Sequence, residues 1–275
     1  GTVVKVHVHT KTPGEILNYC QQFGEFLTLK IENMTLEHND THISTGYTPP
    51  SLKPKKKDGI VSVAAGDGIK KTFSSLGCDA VVDGGQSMNP SAEDFIRAFG
   101  EINADTILVF PNNSNIILTA DQAAGLYDKS DIRVIPSKTI GEGYAAISML
   151  DTMSGDTEAI VNEMNEVIAG VVTGMVSAAS RDTEKDGVTV VRGDYIGFSD
   201  GRVYTDSHDR NTAAESLADA LGAGKYDIAL VICGADTTDD DADALYKTLK
   251  AKYRRTEIIM IDGGQPIYDY IIILE

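Results

Sequence analysis

From Gly59 onward, short apolar runs alternate with helical patterns, and this rhythm restricts the fold more than any other feature of the chain. Ile60-Val61-Ser62-Val63-Ala64, Ala80-Val81-Val82, Ile107-Leu108-Val109-Phe110 and Ile132-Arg133-Val134-Ile135 read as buried strands, being short and rich in β-branched residues. Helical spacing fills the gaps, at Ile69 to Leu76, Ala92 to Phe99, Ala120 to Tyr127 and Gly143 to Leu150. Parallel neighbours in a sheet need a crossover of helix length, so this alternation predicts an α/β fold with a doubly wound, mostly parallel sheet.

The tetrapeptide Asp-Gly-Gly-Gln occurs twice, at Asp83 to Gln86 and at Asp262 to Gln265, each time closing an apolar run. Paired glycines after a strand deliver a loop. Two copies of the device predict two halves that bring similar loops to a shared cleft. The second half reads as mixed α/β. Asp156 to Ala179 reads as one long amphipathic helix, with Asp156 and Glu158 at its positive end. Val188 to Val191 and Tyr195 to Phe198 read as short strands, with a hairpin turn at Ser199 to Arg202. Helix Thr212 to Leu221, strand Ile228 to Ile232, helix Asp240 to Tyr253 and strand Ile258 to Ile261 follow. Tyr268 to Leu274 is apolar enough to dock in the sheet.

The start of the chain has another character. Thr2 to Thr10 alternates as a strand, Glu15 to Phe23 reads as a helix after Pro13-Gly14, and Phe26 to Ile31 reads as a second strand. A βαβ piece this small is the end of a domain, at residues 1–37. Residues 38–57 are polar and Pro-rich, a linker, and residues 58–275 form the main domain.

Composition removes several function classes. A net charge of −17 argues against nucleic acid or an anionic membrane surface as the main partner. The one basic run, Lys53-Pro54-Lys55-Lys56-Lys57, falls in the linker. No apolar stretch approaches the roughly 20 residues that span a bilayer, so membrane insertion is not expected. Cys20, Cys78 and Cys233 lie far apart without a CxxC pair, which fits reduced thiols in a cytoplasmic protein.

In open parallel sheets ligands bind beyond the C-terminal strand ends. Four loops qualify: Ala65 to Gly68, Gly84 to Asn89, Pro111 to Asn115 and Pro136 to Thr139. Their side chains at Gln86, Ser87, Asn89, Asn112, Asn113, Ser114, Ser137 and Lys138, with Gln265 from the second Asp-Gly-Gly-Gln, are the candidates for a ligand-binding or docking cleft. Helix capping explains the same residue types equally well, and both readings stand. His7 and His9 share one strand face, a spacing that suits a metal, although a third ligand is needed. His208, between Asp206 and Asp209, is a candidate base or nucleophile, with an ordinary turn histidine as the alternative. The acids from Asp236 to Asp243 miss the spacing of a calcium loop and precede a helix, so capping is expected there. Phosphate-loop, kinase, nucleophile-elbow and HExxH motifs are absent from the sequence, so no catalytic machinery is expected in it.

Four segments carry a resemblance to a known family: Val4 to Thr10, Gly85 to Ser91, Phe110 to Asn115 and Gly263 to Pro266. Together, and in this order, they resemble the dihydroxyacetone-kinase-like proteins of bacteria, whose best understood members are the ATP-binding subunit of fatty acid kinase. The resemblance covers essentially the whole chain. It implies the end of a middle domain followed by a DegV-like C-terminal domain, with the nucleotide domain and its Mg²⁺-binding aspartates preceding Gly1. It also implies that ATP and Mg²⁺ act in the intact protein, which phosphorylates fatty acids for phospholipid synthesis, and that a DegV-like fatty-acid-binding protein is the partner. His7 and His9 correspond to a zinc-type site completed by an upstream cysteine. Gln86 to Ser91 and Asn113 to Asn115 correspond to the partner's lipid-anchoring loops, yet Gly84-Gly85 replaces a Thr-Ser pair and no Gly-Thr follows Ser114. Those departures favour docking or homodimer assembly over acyl binding. A lipid or small-molecule module, or an activity using His208, are the alternatives.

Overall fold

A computed structural model describes residues 8, 10, 12–26, 54–151 and 156–275. The chain divides into two units, residues 1–48 and 49–275. In the first, helix α1 (Pro13–Cys20) opens on Pro13, where a missing N–H costs nothing, and Tyr19 and Phe23 pack edge to face at 5.2 Å. Of the two strands expected on either side of it only Val8, Thr10 and Phe26 are among the described residues; the rest, with His7 and His9, lies outside them.

The second unit opens with a four-stranded parallel sheet in the order β2-β1-β3-β4. Its strands are β1 (Lys56–Ala64), β2 (Ala80–Asp83), β3 (Ala104–Phe110) and β4 (Asp131–Val134). Strand β1 starts at Lys56, inside the stretch read as linker, because its first residues pair with Ala104 at the start of β3. Helices α2 (Asp67–Ser75), α3 (Ala92–Gly100) and α4 (Ser114–Leu126) make the three crossovers, and α5 (Ile140–Met149) follows β4. Helix α4 begins six residues before its expected start. Asn113 caps it, accepting the Asn115 N–H at 2.9 Å.

The largest departure from expectation is at residues 156–179. Helix α6 (Thr157–Gly170) ends at Gly170, and β5 (Val172–Ala178) follows. Gly170 weakens the helix, and Val171-Val172-Thr173 brings β-branched side chains that favour a strand. Strand β5 then pairs antiparallel with β12 (Tyr270–Leu274) and β8 (Tyr195–Ser199). Ladder bonds on both sides offset any residual helical preference.

The second sheet has six strands in the order β11-β10-β12-β5-β8-β9. Strands β10 (Ile228–Gly234) and β11 (Glu257–Gln265) are parallel, and β9 is Arg202–Ser207. Helices α7 (Arg210–Leu221) and α8 (Asp239–Lys252) cover one face; the strand expected at Val188 to Val191 is β7 (Val188–Val190), and it pairs in a small hairpin with β6 (Thr183–Lys185), which was not expected. The Asp236 to Asp243 acids do cap: Thr238 and Asp241 form a reciprocal capping box at the start of α8.

Period-two alternation in the strands sorts side chains into layers. Val61, Val63, Ile107 and Val109 face α3 and α4, packing on Phe95, Phe99 and Ile116. Ile60, Leu108 and Phe110 face the other way, onto Phe73, Tyr144, Ile160 and Met164, which also meet Leu230, Ile232, Ile271 and Ile273 of the second sheet. Val231, Ile272 and Leu274 face α7 and α8. The unit is therefore α/β/α/β/α, with α2, α5 and α6 filling the middle layer.

Candidate functional site

A cavity of about 260 Å³ opens where the loops after β1, β2, β3 and β4 meet the loop after β11. The two Asp-Gly-Gly-Gln loops both border it, and they use their glutamines oppositely. In the first, Gly85 N–H donates to Met88 O at 2.8 Å and Met88 N–H returns the bond at 3.3 Å, so Gln86 and Ser87 sit exposed at the tip of a tight turn. In the second, Gln265 is 3% exposed, and its Nε2 donates to Ile232 O (3.2 Å) and Tyr268 O (3.1 Å). Gln265 Oε1 has no hydrogen-bond partner among the described residues.

Glycine joins the two halves at this point. A Cβ on Gly68 would lie 1.9 Å from Asp262 O, and one on Gly66 (φ +94°) 2.5 Å from Gly263 O. The start of α2 therefore rests directly on the backbone of the second Asp-Gly-Gly-Gln loop, an approach that only a residue without Cβ permits.

One wall of the cavity is a buried polar network centred on Asn112, which adopts φ +56°. Its N–H donates to Ser137 Oγ at 3.0 Å, and its Nδ2 donates to Ser62 Oγ (2.8 Å) and Val63 O (2.9 Å). Ser137 Oγ donates back to Asn112 Oδ1 at 2.8 Å. With these bonds made, Asn112 and Ser137 tie the ends of β1, β3 and β4 together. Across the mouth, Asn113 Nδ2 donates to Gln86 Oε1 at 3.2 Å, clasping the loops after β2 and β3.

The remaining wall is the start of α5. Thr139 caps it and meets Thr173 of β5, Oγ1 to Oγ1, at 2.9 Å. Lys138 is exposed beside it, and its backbone N–H donates to Glu142 Oε2 at 2.6 Å. Burial pushes the Glu142 carboxyl above the ordinary carboxylate range, against the opposing pull of the Lys138 N–H and side chain.

Of the expected cleft residues, Gln86, Ser87, Asn112, Asn113, Ser114, Lys138 and Gln265 line the cavity. Asn89 is exposed on the turn outside it, and Ser137 is fully buried behind Asn112. His208 is elsewhere and does not line the cavity. Its side chain is 89% exposed, with Nδ1 2.6 Å from Asp194 Oδ1. That exposed placement fits an ordinary turn histidine rather than a nucleophile or base enclosed in a pocket. Among the described residues no group of three or more His, Cys, Asp or Glu side chains is arranged to hold a metal, and no helix is long and apolar enough to cross a membrane.

Sequence reasoning missed the apolar rim of the mouth. Ile267 has φ +73°, and Tyr268 N–H donates to Pro266 O at 2.9 Å, a γ-turn of the rare positive-φ form. A β-branched residue is strained there, yet its side chain is 48% exposed. Met88 is 49% exposed on the neighbouring turn. Nothing in Gln-Pro-Ile-Tyr signals such a turn, which exists because β11 and antiparallel β12 are so closely joined.

Residues 59–275 match the model of the FakA-like C-terminal domain of fatty acid kinase, and residues 1–41 match that of the FakA-like middle domain. The chain belongs to the FakA-like fatty acid kinase family. Protein YloV of Bacillus subtilis (strain 168) is 38% identical over 100% of this chain and 50% of its own length. The chain thus spans about half the length of the curated relatives it matches. A fatty-acid-binding DegV family protein from Thermus thermophilus superposes with a TM-score of 0.58 at 15% identity, covering 80% of this chain and 99% of that one. The Streptococcus pneumoniae fatty acid kinase B3 protein, loaded with linoleic acid, gives a TM-score of 0.53 at 11% identity over 80% of this chain and 99% of its own. At these identities the likeness establishes a DegV-like fold and nothing further.

Proposed function

We propose that this chain is a non-catalytic part of a fatty acid kinase subunit, which docks an acyl-carrying DegV-like protein at the mouth of its cleft. The observation that carries this reading is the filled interior. An acyl tunnel needs a deep apolar channel between the two halves. Here Phe110, Tyr144, Ile160 and Met164 occupy the middle layer. The cavity left, about 260 Å³, falls below the roughly 300–1,000 Å³ of ordinary ligand pockets. Exposed Ile267 at its rim, with exposed Met88 on the turn beside it, has the character of an interface anchor.

On this reading the intact subunit binds ATP and Mg²⁺ outside this chain and transfers the γ-phosphoryl group to a fatty acid carboxylate, giving an acyl phosphate and ADP. His7 and His9 contribute to a zinc site in the middle domain. The setting is the bacterial cytoplasm, and the product feeds phospholipid synthesis. One observation favours a second reading, a small-ligand site: the buried, unpartnered Gln265 Oε1 beside the cavity.

Calorimetry separates the two. The chain is titrated first with a long-chain fatty acid and then with a delipidated DegV-like protein. Heat from the protein alone, lost in Ile267→Asp, supports docking. Heat from the fatty acid with the chain by itself overturns docking in favour of a lipid site.

A further inference from the structure

Among the described residues, Lys138 is the only charged side chain that lines the cavity, on a chain of net charge −17. It stands exposed at the mouth, one residue before the Thr139 cap of α5. Behind it the walls are apolar: Val63, Ile69, Ile140, Met175 and Ile271 border a space of about 260 Å³. Glu142 lies beside the lysine, its Oε2 accepting the Lys138 backbone N–H at 2.6 Å and its charge attracting the Lys138 side chain. An amine at the entrance of an apolar chamber, with a carboxylate next to it, is an arrangement suited to acyl transfer.

We propose that Lys138 is an acylation site, where Nζ takes a short acyl group from an acyl phosphate and the cavity seats the transferred chain. The source of the acyl phosphate rests on the kinase reading above. Neutral Nζ adds to the carbonyl carbon of this mixed anhydride. A C–N bond forms, and the C–O bond to the phosphate breaks as inorganic phosphate leaves with its electron pair. The proton that the new amide sheds passes by way of the Glu142 carboxylate to the phosphate. Burial holds the Glu142 carboxyl above the ordinary range, which makes its carboxylate a better base than a solvated one. Ser114 and Asn115, at the positive end of the 13-residue α4, line the same cavity and favour the departing anion.

The size of the chamber sets the acyl length. Its volume lies below the roughly 300–1,000 Å³ of drug-sized pockets, so an octanoyl chain enters where a lauroyl chain overfills it. An acetyl group leaves most of the apolar wall unused. A chain that fits is held before transfer, which keeps its carbonyl carbon at the amine. The amide carries no charge, so acylation removes the one cation of the cavity and fills the space behind it.

Brief exposure of the 275-residue chain to synthetic octanoyl phosphate, followed by peptide mapping, tests the site. Lys138 should be acylated about tenfold faster than Lys247 and Lys250, which are exposed on α8 and do not line the cavity. At Lys138 octanoyl phosphate should outpace acetyl phosphate and lauroyl phosphate, an order that Lys247 does not share. Glu142→Gln should slow the reaction at Lys138 and leave Lys247 unchanged. Met175→Phe, which takes up room in the chamber, should erase the octanoyl preference and keep the reaction with acetyl phosphate. Equal rates at the three lysines overturn the inference, as does one rate at Lys138 for all three chain lengths in the unsubstituted protein. Because the acyl donor is synthetic, neither result depends on docking, which calorimetry with the DegV-like protein reads separately.

Discussion

Gly143 and Asn112 make a stringent test of the cavity wall, because one substitution should reverse the sign of another. Gly143 lies within α5, where replacing glycine by alanine ordinarily gains about 0.8–1 kcal/mol of helix propensity. Here an added Cβ would stand 1.9 Å from Asn112 Oδ1, 2.5 Å from its Cγ and 2.8 Å from its Nδ2. The amide must move, and it leaves behind the Ser137 hydroxyl, the Ser62 hydroxyl and the Val63 carbonyl. At about 1–3 kcal/mol for each buried polar group left unpaired, discounted for partial re-pairing, Gly143→Ala costs about 2–4 kcal/mol. Asn112→Ala loses the same bonds and leaves alanine at φ +56°, for a cost of about 3–5 kcal/mol. In the double variant the three atoms nearest the new Cβ are gone. Adding Gly143→Ala to Asn112→Ala should then be neutral or stabilising by up to about 1 kcal/mol. The coupling between the two sites is about 2–5 kcal/mol, well beyond the usual 0.3–0.5 kcal/mol error of additivity. Urea unfolding of the four proteins, followed by circular dichroism, measures it. Additive losses, or an equal Gly143→Ala penalty in both backgrounds, would falsify the claim that Asn112 occupies that space as a structural tie.

Three further outcomes follow from the same geometry. Gly68→Ala, which forces a Cβ onto the Asp262 carbonyl, should cost about 1–3 kcal/mol by thermal unfolding, while Gly100→Ala, with nothing within 4 Å, stays within about 0.5 kcal/mol. Ile267→Gly relieves a positive-φ β-branched residue that is half exposed, so stability should rise by about 1 kcal/mol while calorimetry shows weaker docking; a loss of stability would argue against strain. Burial pushes the Cys233 thiol up to about 12 and raises Cys78 further. Both keep their protons in the folded state where unfolded thiols, near 8.5, lose them, so stability should fall as pH rises above about 9. At pH 8 a thiol reagent should modify Cys20 and Cys78, both partly exposed, before the buried Cys233, and three equally quick equivalents would contradict that burial.

Much of the scaffold is legible in the chain because its signals are local. Runs such as Ile60 to Ala64 and Ile107 to Phe110 are buried on both faces and, Ser62 apart, apolar, and amphipathic segments between them leave few alternatives to a doubly wound sheet. Capping at Asn113, Thr139, Asp209 and Thr238 is likewise written in residue type. The loops bordering the cavity follow from strand direction alone, since ligand crevices lie at the C-terminal strand ends.

Residues 171–179 mark the limit of such reading. Their apolar spacing fits a helix face as well as a strand, and the ladders from β12 and β8, both far along the chain, settle the matter. The same holds for the paired Asp-Gly-Gly-Gln loops. Sequence places both beside a cleft. The tertiary structure then turns Gln86 outward on a two-residue turn and folds Gln265 inward onto Ile232 and Tyr268. The difference arises because the second copy is held on one side by Gly66 and Gly68 and leads directly into antiparallel β12, whereas the first faces solvent. Local composition thus determines the elements and the end of the sheet where a site can form. Which polar groups remain free there depends on hydrogen bonds between residues as far apart as Ser62 and Asn112, and only the packed chain brings those together.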